Sequence, residues 1–180
     1  MIYIKKIYLK NGKEVTIREA SKEDAKLMIA FYNLVGGETD FLSFGKNEFI
    51  KDLTDYESFL ETTRKEDNSI ILLAEIDNKI MGIATINSSS KSRFKHVGEF
   101  GIVIAAQYCK LGLGRKIMVN LIIWANANGI TKKISLVTSE NNYRAMELYK
   151  KVGFQVEGTL KNDTYVNGVY GNTIVMGMIL

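Results

Sequence analysis

Between an apolar run, FGIVIAA (Phe100 to Ala106), and a longer one, IMVNLIIWA (Ile117 to Ala125), lies the stretch CKLGLGRKI, Cys109 to Ile117. Two glycines and three cations fall within seven of its residues, 110–116. A short run rich in Ile and Val, a glycine-bearing turn and a longer apolar run read as strand, loop and buried helix. Residues 113–127 are apolar nearly all round, which fits a helix packed on a sheet. The chain is therefore expected to build a mixed fold around this unit.

The remaining patterns agree. Alternation through IYIKKIYLK, an Asn11-Gly12 turn and KEVTIREA predict an opening hairpin. Ser21, followed by Glu23 and Asp24, starts a helix with Leu27, Met28, Phe31, Tyr32 and Val35 at helical spacing, stopped by Gly36-Gly37. Thr54 and Glu57 predict a capping box for a second helix before Phe59-Leu60. SIILLAEI, a turn at Asp77-Asn78 and KIMGIATINS outline an antiparallel hairpin, and VGEFGIVIA leads into the central stretch. ISLVTS reads as a strand, NNYRAMELYKKV as a helix stopped by Gly153, and FQVEG and NTIVMGMIL as two final strands. The class is α+β (mixed α/β). With no repeat, no low-complexity tract and no proline, residues 1–180 are expected to form a single domain.

Composition narrows the chemistry. The longest apolar runs fall well short of the roughly 20 residues of a membrane span, and the opening residues lack a secretory pattern. A cytoplasmic location without membrane contact is expected. Cys109 is the only cysteine and His96 the only histidine, so an internal disulfide is impossible. Cysteine-based zinc sites and Ser-His or Cys-His catalytic pairs have almost nothing to be built from, and no metal is expected. The net charge is +4, with cations dispersed at Lys5-Lys6, Lys132-Lys133 and Lys150-Lys151. That spread does not suit nucleic acid, which favours clustered cations with exposed aromatics; a basic pocket for an anionic ligand accounts for the charge as well.

Such a pocket is what CKLGLGRKI offers. A helix N-terminus presents unpaired N–H groups and a partial positive charge. Gly112 and Gly114 would bare those amides, while Arg115 and Lys116 oppose the helix dipole unless an anion compensates. On these residues alone, a plain glycine loop into a core helix, its basic residues merely solvated, is the better explanation of the stretch. A Walker loop is absent, and a dinucleotide fingerprint would need a third glycine where Ile117 stands.

From Ile102 to Lys116 the segment resembles the acyl-CoA pyrophosphate loop of the GNAT superfamily of N-acetyltransferases. The pattern there is Arg or Gln, two residues, Gly, one residue, then Gly or Ala. Gly112 and Gly114 match, and Cys109 stands in the Arg or Gln position. NNYRAMELYKKVGF looks like the helix that follows in the superfamily, with Asn142, Tyr149 and Gly153-Phe154 at the matching places. The closing segment is similar to the branch containing ribosomal-protein and small-amine acetyltransferases.

The resemblance implies a twisted, mostly antiparallel sheet of about seven strands flanked by about four helices. It implies acetyl-CoA as cosubstrate and a primary amine, small or on a protein terminus, as acceptor; a homodimer is compatible with it. The pyrophosphate would lie on Cys109, Lys110, Leu111, Gly112, Leu113, Gly114, Arg115 and Lys116. The backbone from Ile102 through Val103 to Ile104 would pair with the pantetheine arm, with a distortion near Ala105-Ala106 opening the sheet. Asn142 would contact the cofactor, although a helix-capping role fits it equally.

For the chemistry, an alkyl amine near pKa 10.4 must lose a proton and a thiol near 8.5 must leave. Tyr149 shares the apolar helix face of Ala145, Leu148 and Val152, and on spacing alone it is a core tyrosine whose hydroxyl is tied to backbone. The resemblance makes it the general acid beside the CoA sulfur. Glu99 shares a strand face with Gly101 and Val103 and is the candidate base, its affinity for a proton raised by apolar neighbours; a solvated glutamate is the other reading. Glu38 and Asp40 lie where the superfamily builds its acceptor site and would attract a cationic amine; a solvated acidic loop is the other reading. His96 is expected at a strand end. A CoA-binding regulatory protein with a degenerate site is the alternative, which the cysteine permits and Tyr149 opposes.

Overall fold

The computed structural model describes residues 4–180; the first residues of the expected opening strand, Ile2 and Tyr3, lie outside them. Two strands, β1 (Ile4–Tyr8) and β2 (Glu14–Glu19), precede helices α1 (Ala25–Val35) and α2 (Leu53–Thr63). Strands β3 (Ile70–Ile76), β4 (Lys79–Ser88) and β5 (Val97–Ile104) follow, then α3 (Leu113–Ala127), β6 (Lys133–Ser139) and α4 (Tyr143–Val152). The long hairpin β7 (Gln155–Val166) and β8 (Val169–Ile179) completes the chain. All eight strands form one sheet in the order β1-β2-β3-β4-β5-β6-β8-β7. Every pair is antiparallel except β5 with β6, the pair joined through α3. The sheet has one strand more than expected, and both final strands run further than FQVEG and NTIVMGMIL.

Burial follows the period of each segment. On β5, Phe100, Ile102 and Ile104 join the cluster packed with α3 and α4, whereas Val103 and Ala105 join the one under α1 and α2. The strand thus serves two cores, one on each face, as its alternation requires. Helix α3 supplies Leu113, Ile117, Met118, Leu121 and Ala125, all fully buried. Its far side is less buried than the sequence suggests, because Val119 and Ile123 face solvent.

The first helix begins one turn late. Ser21 donates through its backbone N–H and hydroxyl to Asp24, whose residues 22–24 form a 3-10 turn before α1. For α2 the cap is Asp52, not Thr54: Asp52 has extended backbone (ψ 137°) and accepts from the Asp55 N–H at 3.0 Å, whereas Thr54 is already inside the helix. Only the residue before the first helical turn has the geometry to reach those free amides. Asp24 also anchors an ionic cluster. Arg18 of β2 donates twice to Asp24, both at 2.7 Å, and twice to Glu75 of β3, at 2.9 and 2.7 Å.

Buried tyrosines make the fold sensitive to alkali. Burial pushes the phenols of Tyr56 and Tyr149 up to about 12, and that of Tyr32 higher still. Unfolded tyrosine ionises near 10, so the folded chain holds these protons more tightly. Their contribution is complete below pH about 10 and drains away as pH climbs through about 12, at about 1.4 kcal/mol per unit for each tyrosine. Urea midpoints are expected to stay flat from pH 7 to 9 and fall steeply above 10. Tyr56→Phe should make that fall shallower.

Candidate active site

The central event in the sheet is a divergence. β5 pairs with β4 from Gly98 to Ile104, but with β6 only over Val97–Glu99 against Lys133–Ser135. Beyond Glu99 the edge of β5 that faced β6 has no strand partner, leaving the peptide groups of Phe100 to Ile104 available to an extended ligand. β6 is held along its length by β8, and sheet twist carries that pair away from β5. The expected distortion near Ala105-Ala106 is therefore not what opens the sheet. Ala105 still donates to Met81 O at 3.0 Å, in line with the β4 ladder.

The loop after β5 leads directly to α3. Ala106–Tyr108 make one 3-10 turn, Cys109 is extended, and Lys110 and Gly112 both take left-handed backbone, φ 69° and 88°. The first helical bond runs from the Lys116 N–H to Gly112 O at 3.2 Å. Among the described residues, the N–H groups of Leu113, Gly114 and Arg115 donate to no protein acceptor. Three amides and the positive end of a fifteen-residue helix thus converge on one point, with exposed Arg115 and Lys116 beside it. Lys110 and Leu111 precede them on the same turn.

The two glycines have different reasons. Gly112 is required by its φ, since a side chain there would be strained although space exists. Gly114 is a packing glycine, because an added Cβ would point inward, 3.2 Å from Ile104 Cδ1 and 3.6 Å from Leu148 Cδ2. Its lack of a side chain lets α3 approach β5 and α4. Gly112→Ala should cost about 1 kcal/mol of stability, read by thermal denaturation. Cys109 Sγ rests 3.8 Å from Ile104 O, a weak contact that ties the loop back to the strand it leaves.

On the α3/α4 face of the divergence stands Tyr149. Its ring is buried at 8% exposure and packs edge-on against Phe100, centroids 6.4 Å apart, and against Phe154 at 6.1 Å. Phe100 is the first β5 residue past the last pair with β6, so Tyr149 sits beside the opening. Its hydroxyl makes no hydrogen bond among the described residues, yet no side-chain polar atom is left both buried and unpaired. The phenol therefore reaches open surface and is not tied to backbone. Asn142 caps α4, its Oδ1 accepting from the Ala145 N–H at 3.4 Å. Gly153 ends that helix in left-handed conformation, φ 113°.

The opposite face carries the acidic residues. Glu99 projects there, adjacent to Asn87 of β4 and Ser135 of β6, and is exposed rather than buried. α1 and α2 cover the β2-to-β5 half of that face and stop short of it. Glu38 Oε2 accepts from the Ala106 N–H at 2.8 Å, bracing the loop after α1 against the end of β5. Asp40 Oδ2 accepts from Asn167 Nδ2 at 3.1 Å, joining that loop to the tip of the β7–β8 hairpin. Asn167 was not singled out from sequence. The signal was available, since Asn167-Gly168 between Tyr165-Val166 and Val169-Tyr170 is a strong two-residue hairpin turn. His96 is exposed just before β5, as expected.

An unpaired strand edge ending at a bare helix N-terminus suits a long carrier with an extended arm and an anionic end. Fold and site together define a transferase of the acyl-CoA-dependent class. A family model described as the acetyltransferase (GNAT) family matches residues 38–154. The acetyltransferase of GNAT family from Streptococcus pneumoniae superposes with a TM-score of 0.89 at 35% identity, over 92% of this chain and 99% of that one. The L-amino acid N-acetyltransferase AaaT of Escherichia coli (strain K12) is 31% identical over 60% of this chain and 67% of its own length. Spermidine N(1)-acetyltransferase of the same strain is 28% identical over 67% of each. The yncA protein of Salmonella typhimurium, a putative acetyltransferase solved with its cofactor acetyl-CoA, shares the fold with a TM-score of 0.79 at 22% identity. The chain belongs to the GNAT family and is an acetyl-CoA-dependent N-acetyltransferase. No described helix is long and apolar enough to cross a membrane.

Proposed function

We propose that the enzyme moves an acetyl group directly to a primary amine, on a small molecule or a protein amino terminus, with both substrates bound together. The observation that carries this reading is the placement of Tyr149 and Glu99 on opposite faces of the sheet where β5 and β6 part. Acetyl-CoA supplies its acetyl group as a thioester, activated toward amines. The amides and cations from Cys109 to Lys116 hold its pyrophosphate, and the free edge of Ile102, Val103 and Ile104 aligns its arm. Asn142 borders the cofactor while it caps α4.

Two proton movements remain for the side chains. Glu99, open to solvent, orients the ammonium group, takes its proton through water and releases it to bulk. After the nitrogen has attacked the thioester carbonyl, its second proton leaves through the same water as the C–S bond breaks and passes to the departing thiolate, to which Tyr149 donates a hydrogen bond that strengthens as charge grows there. Glu38 and Asp40 bias the mouth toward cationic acceptors while their oxygens also hold the rim together.

A screen of CoA release with acetyl-CoA over amino acids, polyamines and peptide amino termini tests this. Turnover on one amine class, linear in enzyme and dependent on Glu99, supports the reading. Tight CoA binding with no turnover on any amine would favour a CoA-binding regulatory protein instead.

A further inference from the structure

The β1–β2 turn approaches the phosphate loop from the far end of the chain. The Lys10 N–H donates to Leu111 O at 3.1 Å. The Lys10 side chain lies along Gly112, whose added Cβ would sit 3.7 Å from Lys10 Cγ and 3.8 Å from Cε. The turn itself is firmly seated. Leu9 is buried at 4% exposure, Leu9 and Gly12 close the turn through backbone bonds of 2.9 and 3.0 Å, and Lys5 donates to Asn120 of α3 at 2.8 Å.

Charge around this point is one-sided. No acidic residue occurs between Glu99 and Glu140, a span that holds Lys110, Arg115 and Lys116. Among the described residues none of these three, nor Lys10, lies within 4.0 Å of a carboxylate, whereas Lys6 of the neighbouring strand is paired with Glu14 at 2.7 Å. Lys10 is exposed and keeps its ammonium group free while its stem is packed. Four like charges gathered without an acid cost stability unless an anion completes them.

We propose that Lys10 is a fourth cation of the cradle and binds a phosphoryl group of CoA, rationalising the attachment of the β1–β2 hairpin to the loop. It lies outside residues 38–154, the segment that matches the family model. The inference rests on the placement of the pyrophosphate at residues 109–116 given above.

The test measures CoA and 3′-dephospho-CoA binding by calorimetry, with acetyl-CoA kinetics alongside, for Lys10→Gln, Lys10→Glu, Lys10→Arg and, as a loop control, Arg115→Gln. Melting curves establish that each variant is folded. Lys10→Gln is expected to weaken CoA binding about fivefold, Lys10→Glu more, and Lys10→Arg little, the loss falling on KM rather than kcat. A loss that disappears with dephospho-CoA assigns the contact to the 3′-phosphate; one that persists assigns it to the pyrophosphate. Native affinity in both Lys10→Gln and Lys10→Glu, with Arg115→Gln weakened, would overturn the role of Lys10 and leave the loop in place. Native affinity in all of them, Arg115→Gln included, would remove the loop assignment itself.

Discussion

Tyr149→Phe should lower kcat about a hundredfold while KM for acetyl-CoA and the melting temperature stay near native. The ring is what the core uses, through Phe100 and Phe154, and phenylalanine keeps it. Only the hydroxyl is removed, and that group has no partner among the described residues to miss it. The size of the effect follows from the proton balance. At about 12 the phenol is a weaker acid than a thiol near 8.5, so complete transfer to the sulfur runs uphill by roughly 5 kcal/mol. Its contribution is a hydrogen bond to a growing charge, and such donors are worth about 100-fold or more when aligned in a shielded site. The same raised pKa keeps the donor protonated, so the native rate should show no tyrosine limb below pH about 10. Full turnover in Tyr149→Phe at neutral pH would end this assignment.

Arg18→Ala should be the most damaging of the structural changes considered. It leaves the carboxylates of Asp24 and Glu75, 9% and 13% exposed, facing each other without their shared cation. Removing one partner from a largely buried ionic cluster costs about 3 kcal/mol at the lower end, which the 26% exposure of Arg18 favours. For a domain of this size that is a drop of about 10 °C in Tm. The effect depends on pH. Burial would raise the Asp24 carboxyl, but the Arg18 hydrogen bonds and the Ser21 N–H outweigh it and hold the group below the usual carboxylate range. Its stabilisation is thus present above the unfolded pKa of about 3.9 and lost as pH falls below it. Without Arg18, burial dominates at Asp24 and favours its protonated form, so the deficit of the variant should shrink between pH 7 and pH 4. Urea titrations at the two pH values measure it, and an equal deficit at both would contradict the ionic account.

Much of this was legible in the residues because local rules decided it. The Ile-Val run of β5, the apolar length of α3 and the Asp77-Asn78 turn each have one reading, and tertiary packing agreed with it. Alternation correctly divided β5 between two faces. It could not say how far the helices reach over each face, so of the two readings of Glu99, buried base or solvated glutamate, only the structure shows that it is open to solvent. Asp52 and Thr54 are both good capping types, and only the extended backbone of Asp52 chooses between them. Contacts such as Lys10 with Leu111, or Asp40 with Asn167, join residues far apart in sequence through single bonds, and no pattern of residues announces them. The cradle is legible in outline for the opposite reason, since glycines and cations at a helix start have to be consecutive.

The strand order also bears on the sequence in which the molecule can be assembled. β8 follows β7 in the chain but lies between it and β6, so β7 has nothing to lean on until a later segment has formed. β8 must therefore be in place on β6 before β7 can pair, and the Asn167–Asp40 bridge at the hairpin tip can close only when both strands are docked. The loop that carries Asp40 is thus tied at this point only once the hairpin is docked. A destabilised β7–β8 hairpin would leave a species whose phosphate cradle is already competent to hold CoA before any amine can be received.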